Sequence, residues 1–160
     1  MSIDRYYMRD SSLVVSVFSG VICRTSISQH LASHLGDPLY RPDMHEIADL
    51  SDIEDLQLDF GNMRSVVREK NTSYSYRKTV SVYAPGDLAF GYARIYQNLA
   101  EADDGIQAEV YRTEKETLGF HGLSDPSIGC LIARCVARHA DVLPDAAHRP
   151  AGLQVPKPAQ

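Results

Sequence analysis

The stretch at residues 79–99, TVSVYAPGDLAFGYARIYQNL, contains a complete strand, a stop signal and a complete helix. Its first residues alternate between apolar and polar side chains as far as Pro85 and Gly86, which is typical of a strand that ends at a turn. Asp87 can cap the helix that follows. One apolar stripe recurs at helical spacing and is predicted to pack against a sheet: Leu88, Tyr92, Ile95, Tyr96 and Leu99.

Strands and helices alternate in the same way on both sides of this stretch. Residues 13–18 and 21–24 are apolar runs separated by Ser19 and Gly20, which predicts a β-hairpin. Further strands are predicted at residues 44–50 and 106–111, and helices lie between the strands. Strands that alternate with helices need crossover connections, so the order predicts an α/β fold. We expect a largely parallel sheet, with the hairpin as its antiparallel edge.

Acidic residues concentrate between residue 49 and the helix that begins near residue 60: Asp49, Asp52, Glu54, Asp55 and Asp59. No basic residue lies among them, and we interpret residues 51–59 as an acidic surface loop. Asp59 is placed to cap a helix in which Phe60, Met63, Val66 and Val67 recur at helical spacing. Arg64, Arg68 and Lys70 are predicted to face outward toward the far end of this helix.

The C-terminal part predicts one more helix and a tail. Residues 124–143 place Ile128, Leu131, Ile132 and Val136 on one apolar face, which must be buried on the same domain or on a second copy of the chain. A homodimer is therefore one expectation. Residues 144–160 are rich in proline and poor in large apolar side chains, which predicts a disordered tail. We expect a domain over 1–123, an appended helix over 124–143 and the tail over 144–160.

Composition excludes several classes of protein. The chain has 160 residues, of which 44% are apolar and 23% are charged, as in folded globular proteins. Its formal net charge of -5 argues against a surface that binds nucleic acid. No apolar stretch approaches the roughly 20 residues that span a bilayer, and no signal peptide is recognised. Three cysteines at irregular spacing suit reduced thiols, so we expect a cytoplasmic protein without a membrane span.

Residues that often carry catalysis or bind metals do not form a recognisable motif. His30 and His34 are four residues apart but lack the further ligands that zinc needs, and Cys130, Cys135 and His139 lack the tight spacing of paired cysteine ligands. Neither a glycine-rich phosphate-binding loop nor a serine hydrolase motif is present. We therefore predict no catalytic residues, no metal site and no cofactor.

Four stretches resemble the bacterial SpoIIAA-like proteins, also called STAS/SEC14-like: residues 37–42 (DPLYRP), 48–50 (ADL), 58–60 (LDF) and 83–97 (YAPGDLAFGYARIYQ). The resemblance covers about residues 13–123. It implies a four- or five-stranded mixed sheet flanked by helices. In anti-sigma-factor antagonists of this fold, an Asp-Ser-Ser-Gly loop carries a phosphorylated serine that controls release of the partner. The matching residues 59–62 are DFGN, which places Gly61 at the acceptor position, so this phosphorylation switch is not expected.

These observations favour a non-enzymatic regulatory or protein-interaction module. Its predicted partner-binding residues lie on the acidic stretch and at the start of the next helix: Asp52, Glu54, Asp55, Asp59 and Asn62. The alternative, which the SEC14-like part of the resemblance suggests, is a carrier or sensor of a small apolar or lipid-like ligand. It requires a pocket between helices and sheet, with predicted residues Phe60, Met63, Phe90, Tyr92 and Arg94. An exposed recognition patch at Phe90 and Arg94 and burial of Phe90 under a loop are both compatible with the sequence.

Overall fold

The computed structural model describes residues 2–74, 77–102 and 105–140, with side chains as far as residue 135, and its five strands form one sheet in the order β1-β2-β3-β4-β5. The strands are β1 (Ser2–Met8), β2 (Leu13–Cys23), β3 (His45–Gln57), β4 (Lys78–Tyr83) and β5 (Ile106–Tyr111). β1 is antiparallel to β2, and every other neighbouring pair is parallel. The predicted α/β class and mixed sheet are confirmed.

Helices cover both faces of this sheet. They are α1 (Arg24–Leu35), α2 (Phe60–Ser73), α3 (Asp87–Ala102), α4 (Glu114–Phe120) and α5 (Ile128–Ala140). Met63 of α2 packs in one core with Ala48, whereas Leu118 of α4 and Leu131 of α5 pack in another with Ile47. The adjacent residues Ile47 and Ala48 belong to different cores because successive side chains of a strand point to opposite faces. We call the two sides the α1–α3 face and the α4–α5 face.

The predicted hairpin is wrong. Residues 13–23 form the single strand β2, and the antiparallel edge is β1, which pairs from Ser2 with Ser19 to Met8 with Leu13. The register against β3 shifts between Val17 and Ser19 and again after Gly20, whose φ is +74°. A glycine at positive φ serves a bulge as well as a turn, which is why the Ser-Gly pair was misleading.

The predicted acidic loop at residues 51–59 is also wrong, because β3 continues through most of it as far as Gln57. The second half of β3 pairs with the second half of β2, from Asp52 with Ser19 to Gln57 with Cys23. β4 pairs with β3 only over Glu46–Asp49, and β1 reaches only Ser19 of β2. The ends of β2 and β3 therefore extend past both neighbouring strands as a two-stranded ribbon.

Helix α3 packs on the sheet through part of the predicted stripe, since Tyr96 is buried and Tyr92 and Leu99 pack against the same core, but two predicted residues are not buried. Leu88 and Ile95 are 48% and 39% exposed. The buried side chains of α3 are Ala89, Ala93, Tyr96, Gln97 and Ala100. This stripe also has helical spacing, and its small alanines let the helix approach the strands closely.

Helix α5 buries its apolar face on its own sheet. Ile128, Leu131 and Cys135 are at most 1% exposed and pack with Met8 and Leu13. The thiol of Cys135 donates a hydrogen bond to the carbonyl oxygen of Tyr7 at 2.8 Å. The described part of this face therefore needs no second copy to cover it. Residues 141–160, which include the predicted tail, lie outside the described residues.

Candidate functional sites

The ribbon carries the acidic residues that the sequence singled out. Asp52, Glu54 and Asp55 are exposed, whereas Leu56 between them and the next helix is buried. The buried leucine anchors the strand, and the carboxylates are displayed on a rigid element because the ribbon is paired along its length. The structure thus presents these negative charges on an ordered strand that extends beyond the sheet.

Helix α2 begins directly beside this ribbon and exposes an aromatic side chain. The carboxylate of Asp59 accepts a hydrogen bond from the backbone N–H of Asn62 at 2.6 Å, as an N-cap residue does. This cap confirms the role predicted for Asp59. Phe60 follows in the first turn and is 63% exposed. Leu88 lies in the first turn of α3, which starts at the same edge of the sheet, because β3 and β4 are adjacent and parallel.

We define the acidic surface as Asp52, Glu54, Asp55, Asp59 and Phe60. Four of the five predicted partner-binding residues belong to it, and the fifth, Asn62, is half-buried in the first turn of α2. Gly61 is exposed, and a Cβ there would meet only an Asp59 carboxylate oxygen, at 3.4 Å. The position that the resemblance gives to a phosphorylated serine therefore has space for a side chain.

An apolar cavity of about 80 Å³ lies between the sheet and the α1–α3 helices. Met63 and Tyr92, two of the predicted ligand-binding residues, line it. The other three do not. Phe60 is exposed, Phe90 is half-buried with the Arg112 guanidinium 4.1 Å from its ring centroid, and Arg94 is exposed and donates to the Gln97 side chain. The residues of α3 that line the cavity are Tyr92, Ala93 and Tyr96, and Phe90 and Arg94 lie to one side of them.

Lys70, the charged residue that lines this cavity, belongs to a buried ion pair that the sequence did not predict. Lys70, predicted to face outward, is 9% exposed, and its Nζ lies 3.1 Å from Oε2 of Glu46, which is 6% exposed. Burial would raise the pKa of Glu46, but Lys70 and the hydrogen bond from it hold that pKa at about 2. Burial would lower the pKa of Lys70, but Glu46 raises it well above its usual range. Both side chains are therefore charged, and Lys70 also lies over the ring of Tyr96.

Tyr96 completes the polar end of the cavity. Its hydroxyl is buried and has no hydrogen-bond partner among the described residues. The burial of Lys70 could have been predicted from its spacing alone, because it lies four residues after Val66 and three after Val67 on the buried stripe of α2. A lysine on an apolar stripe is easily assigned to solvent because its long side chain usually reaches water.

Two histidines of α1 lie beside this ion pair. Burial lowers the pKa of His30 and of His34 to about 4, although Glu46 opposes the shift, so both rings are neutral near pH 7. His34 Nδ1 is 2.9 Å from the hydroxyl of Tyr7, and the two histidine rings stack with centroids 6.3 Å apart. The prediction that these histidines lie on a partly buried face is confirmed.

A serine and a histidine also come together on the α4–α5 face. Ser81 Oγ is 2.8 Å from His121 Nε2. Ser81 is 0% exposed, so its hydroxyl cannot reach a substrate and the pair lacks the open nucleophile of a hydrolase. Within the described ranges, no group of three or more His, Cys, Asp or Glu side chains could hold a metal ion. In the same residues, no helix is long and apolar enough to cross a membrane.

Comparisons with known proteins concern the fold. No protein-family model and no curated protein sequence matches the chain. Among solved structures, the chain is similar to an uncharacterized protein of the DUF3478 family from Shewanella loihica PV-4, with 13% sequence identity and a TM-score of 0.49. The match covers 74% of this chain and 91% of that chain. That protein is described as having a SpoIIAA-like fold.

Proposed function

We propose that this protein is a protein-interaction module that docks a basic partner on the acidic surface. The observation that carries the proposal is Phe60, a 63% exposed aromatic side chain at the start of a capped helix, next to a ribbon with three exposed carboxylates. Burying a phenylalanine side chain stabilises a complex by roughly 1.5–3 kcal/mol. Aromatic anchors surrounded by polar residues are typical of binding hot spots.

Charge complementarity defines the partner. Three carboxylates within four residues, with no basic side chain between them, attract a surface rich in lysine or arginine. The partner also needs an apolar pocket for Phe60. Because exposed charges are screened over about 8 Å at physiological ionic strength, association should weaken as salt is raised.

The test is retention of proteins from extracts of the source cells by immobilised variants. The variant D52N/E54Q/D55N and the variant Phe60→Ala should each lose the same proteins, and these proteins should also elute first as salt is raised. The control D4N/E101Q/E116Q removes three exposed carboxylates elsewhere and changes the net charge equally. A protein set retained equally by all variants would refute the acidic surface as a docking site.

A second function, binding of a small apolar ligand in the cavity, is favoured by the unpartnered hydroxyl of Tyr96 beside Lys70. The volume limits the ligand. One water needs about 10–15 Å³ and drug-sized sites have about 300–1,000 Å³, so a cavity of about 80 Å³ holds a few heavy atoms rather than a lipid chain. Native mass spectrometry of protein purified from cells should show a small bound molecule that Ala93→Leu displaces. A spectrum with only the bare chain mass under gentle conditions would contradict it.

A further inference from the structure

The α4–α5 face carries a cleft of about 380 Å³ at the starts of the parallel strands, at the opposite end of the sheet from the acidic surface. One row of side chains forms its floor: Leu13, His45, Thr79 and Gln107, which the strand register places side by side. Phe120 and His121 at the end of α4 form a wall. The volume falls within the roughly 300–1,000 Å³ of small-molecule sites.

His45 presents a hydrogen-bond donor to this cleft. The backbone N–H of Thr79 donates to Nδ1 of His45 at 3.0 Å, so Nδ1 carries no proton and the neutral ring is protonated at Nε2. A metal ion would bind the lone pair of Nε2, and the ring proton would then have to lie on Nδ1. Two N–H groups, those of Nδ1 and of Thr79, would then point at each other. His45 therefore offers its Nε2–H to the cleft and is a poor metal ligand.

His121 adds a second neutral ring. Its Nε2 is hydrogen-bonded to the buried Ser81 hydroxyl. Its Nδ1 has no hydrogen-bond partner among the described residues. Burial lowers the pKa of His121 to about 4. The hydroxyl of Thr79 and the side-chain amide of Gln107 supply further donors and acceptors. The described residues that line the cleft include no Lys, Arg, Asp or Glu.

We propose that this cleft binds an uncharged planar molecule with both a hydrogen-bond acceptor and a donor, of the class of heterocyclic amides and nucleobases. The acceptor meets Nε2–H of His45, and the ring packs against Phe120, which is half-buried. Polar side chains of both kinds fix the orientation, and Phe120 adds apolar contact area. An anion is disfavoured because no positive side chain lines the cleft to compensate its loss of water.

Nicotinamide and nicotinate are a matched pair of probes, because they share a ring and differ in an amide against a carboxylate. In nitrogen-detected NMR of the histidine rings, millimolar nicotinamide should shift His45 and His121 saturably. His30 and His34 on the other face should not move, and nicotinate should bind about tenfold more weakly, a difference of about 1.4 kcal/mol. Absence of a saturable shift with nicotinamide would overturn the proposal. Equal or tighter binding of nicotinate would show an anion site instead and would overturn it too.

Gln107 offers a blocking variant that does not disturb the core, because its side chain is exposed. Gln107→Trp should fill the cleft and abolish the shifts at His121. The control Asn98→Trp places the same side chain at an exposed position of α3 and should bind nicotinamide as the unchanged protein does. Full binding by Gln107→Trp would place the ligand elsewhere and refute the cleft.

Discussion

Single residues decide how the interior of this protein is charged. Glu46 and Lys70 lie between apolar side chains, and each is charged because the other is present. Taking two ions out of water costs several kcal/mol for each, and their attraction offsets this cost only while both are in place. The pair therefore makes the α1–α3 face sensitive to the loss of either charge.

Replacing Lys70 with Met should lower the free energy of unfolding by about 3–5 kcal/mol, because it leaves the Glu46 carboxylate buried without a partner. The double variant Glu46→Leu, Lys70→Met should be less destabilised than Lys70→Met alone. Urea denaturation measures the free energy of unfolding of the unchanged protein and of both variants. The control Arg68→Met, at an exposed position of the same helix, should change stability by less than about 0.5 kcal/mol. If Lys70→Met were as mild as this control, the ion pair would not have the assigned role.

Secondary-structure elements show which features a single sequence can predict. The strand at 79–83, the Asp59 cap and the helix after Thr113 follow from alternation and capping, which are local, and the structure has all three. Pairing is not local. Nothing within residues 2–8 indicates that β2 is their partner, and the bulges in β2 resemble a turn until β1 and β3 lie on either side.

The candidate sites divide in the same way. Exposure of Asp52, Glu54 and Asp55 follows from their charge, so the acidic surface was largely predictable. Phe90 and Arg94 were placed wrongly in the predicted pocket, because Phe90 lies against the Arg112 guanidinium and Arg94 bonds to Gln97, contacts that no spacing in the sequence indicates. The cleft at His45 and His121 joins residues from four strands and α4, and no spacing in the sequence brings these residues together.

Helix α5 acts as a structural element of the sheet. Leu131 is 0% exposed, so Leu131→Ala should lower the free energy of unfolding by about 2–5 kcal/mol through lost burial and the cavity left behind. The adjacent Cys130 is exposed, and Cys130→Ala should change stability by less than about 0.5 kcal/mol. Thermal and urea unfolding compare the two variants. Equal, small effects would mean that α5 is not needed for stability of the sheet.

At the scale of the whole molecule, buried neutral histidines should make the free energy of unfolding depend on pH below about pH 6.5. Burial lowers the pKa of His30, His34 and His121 to about 4, whereas the ordinary value is 6.5. Between these values the unfolded chain binds more protons than the folded one, so the free energy of unfolding falls as the pH falls from about 6.5 toward about 4. Glu46, with its pKa at about 2, keeps its charge through this window.

Urea denaturation at several pH values measures this dependence. Each histidine should contribute a slope of up to about 1.4 kcal/mol per pH unit, which follows from one proton taken up on unfolding. His34→Gln should make the slope shallower, because one titrating ring is removed. A free energy of unfolding that stays constant from about pH 7 to about pH 5 would contradict this assignment.

The bond from Cys135 to Tyr7 joins residues 128 positions apart in the chain. During synthesis, Met8 and Leu13 on that side of the sheet lack the cover that α5 gives them until the ribosome has made residues 128–135, whereas α4, which packs in the same core, is made earlier. A chain that stops before residue 128 therefore leaves part of this apolar core exposed on its first two strands.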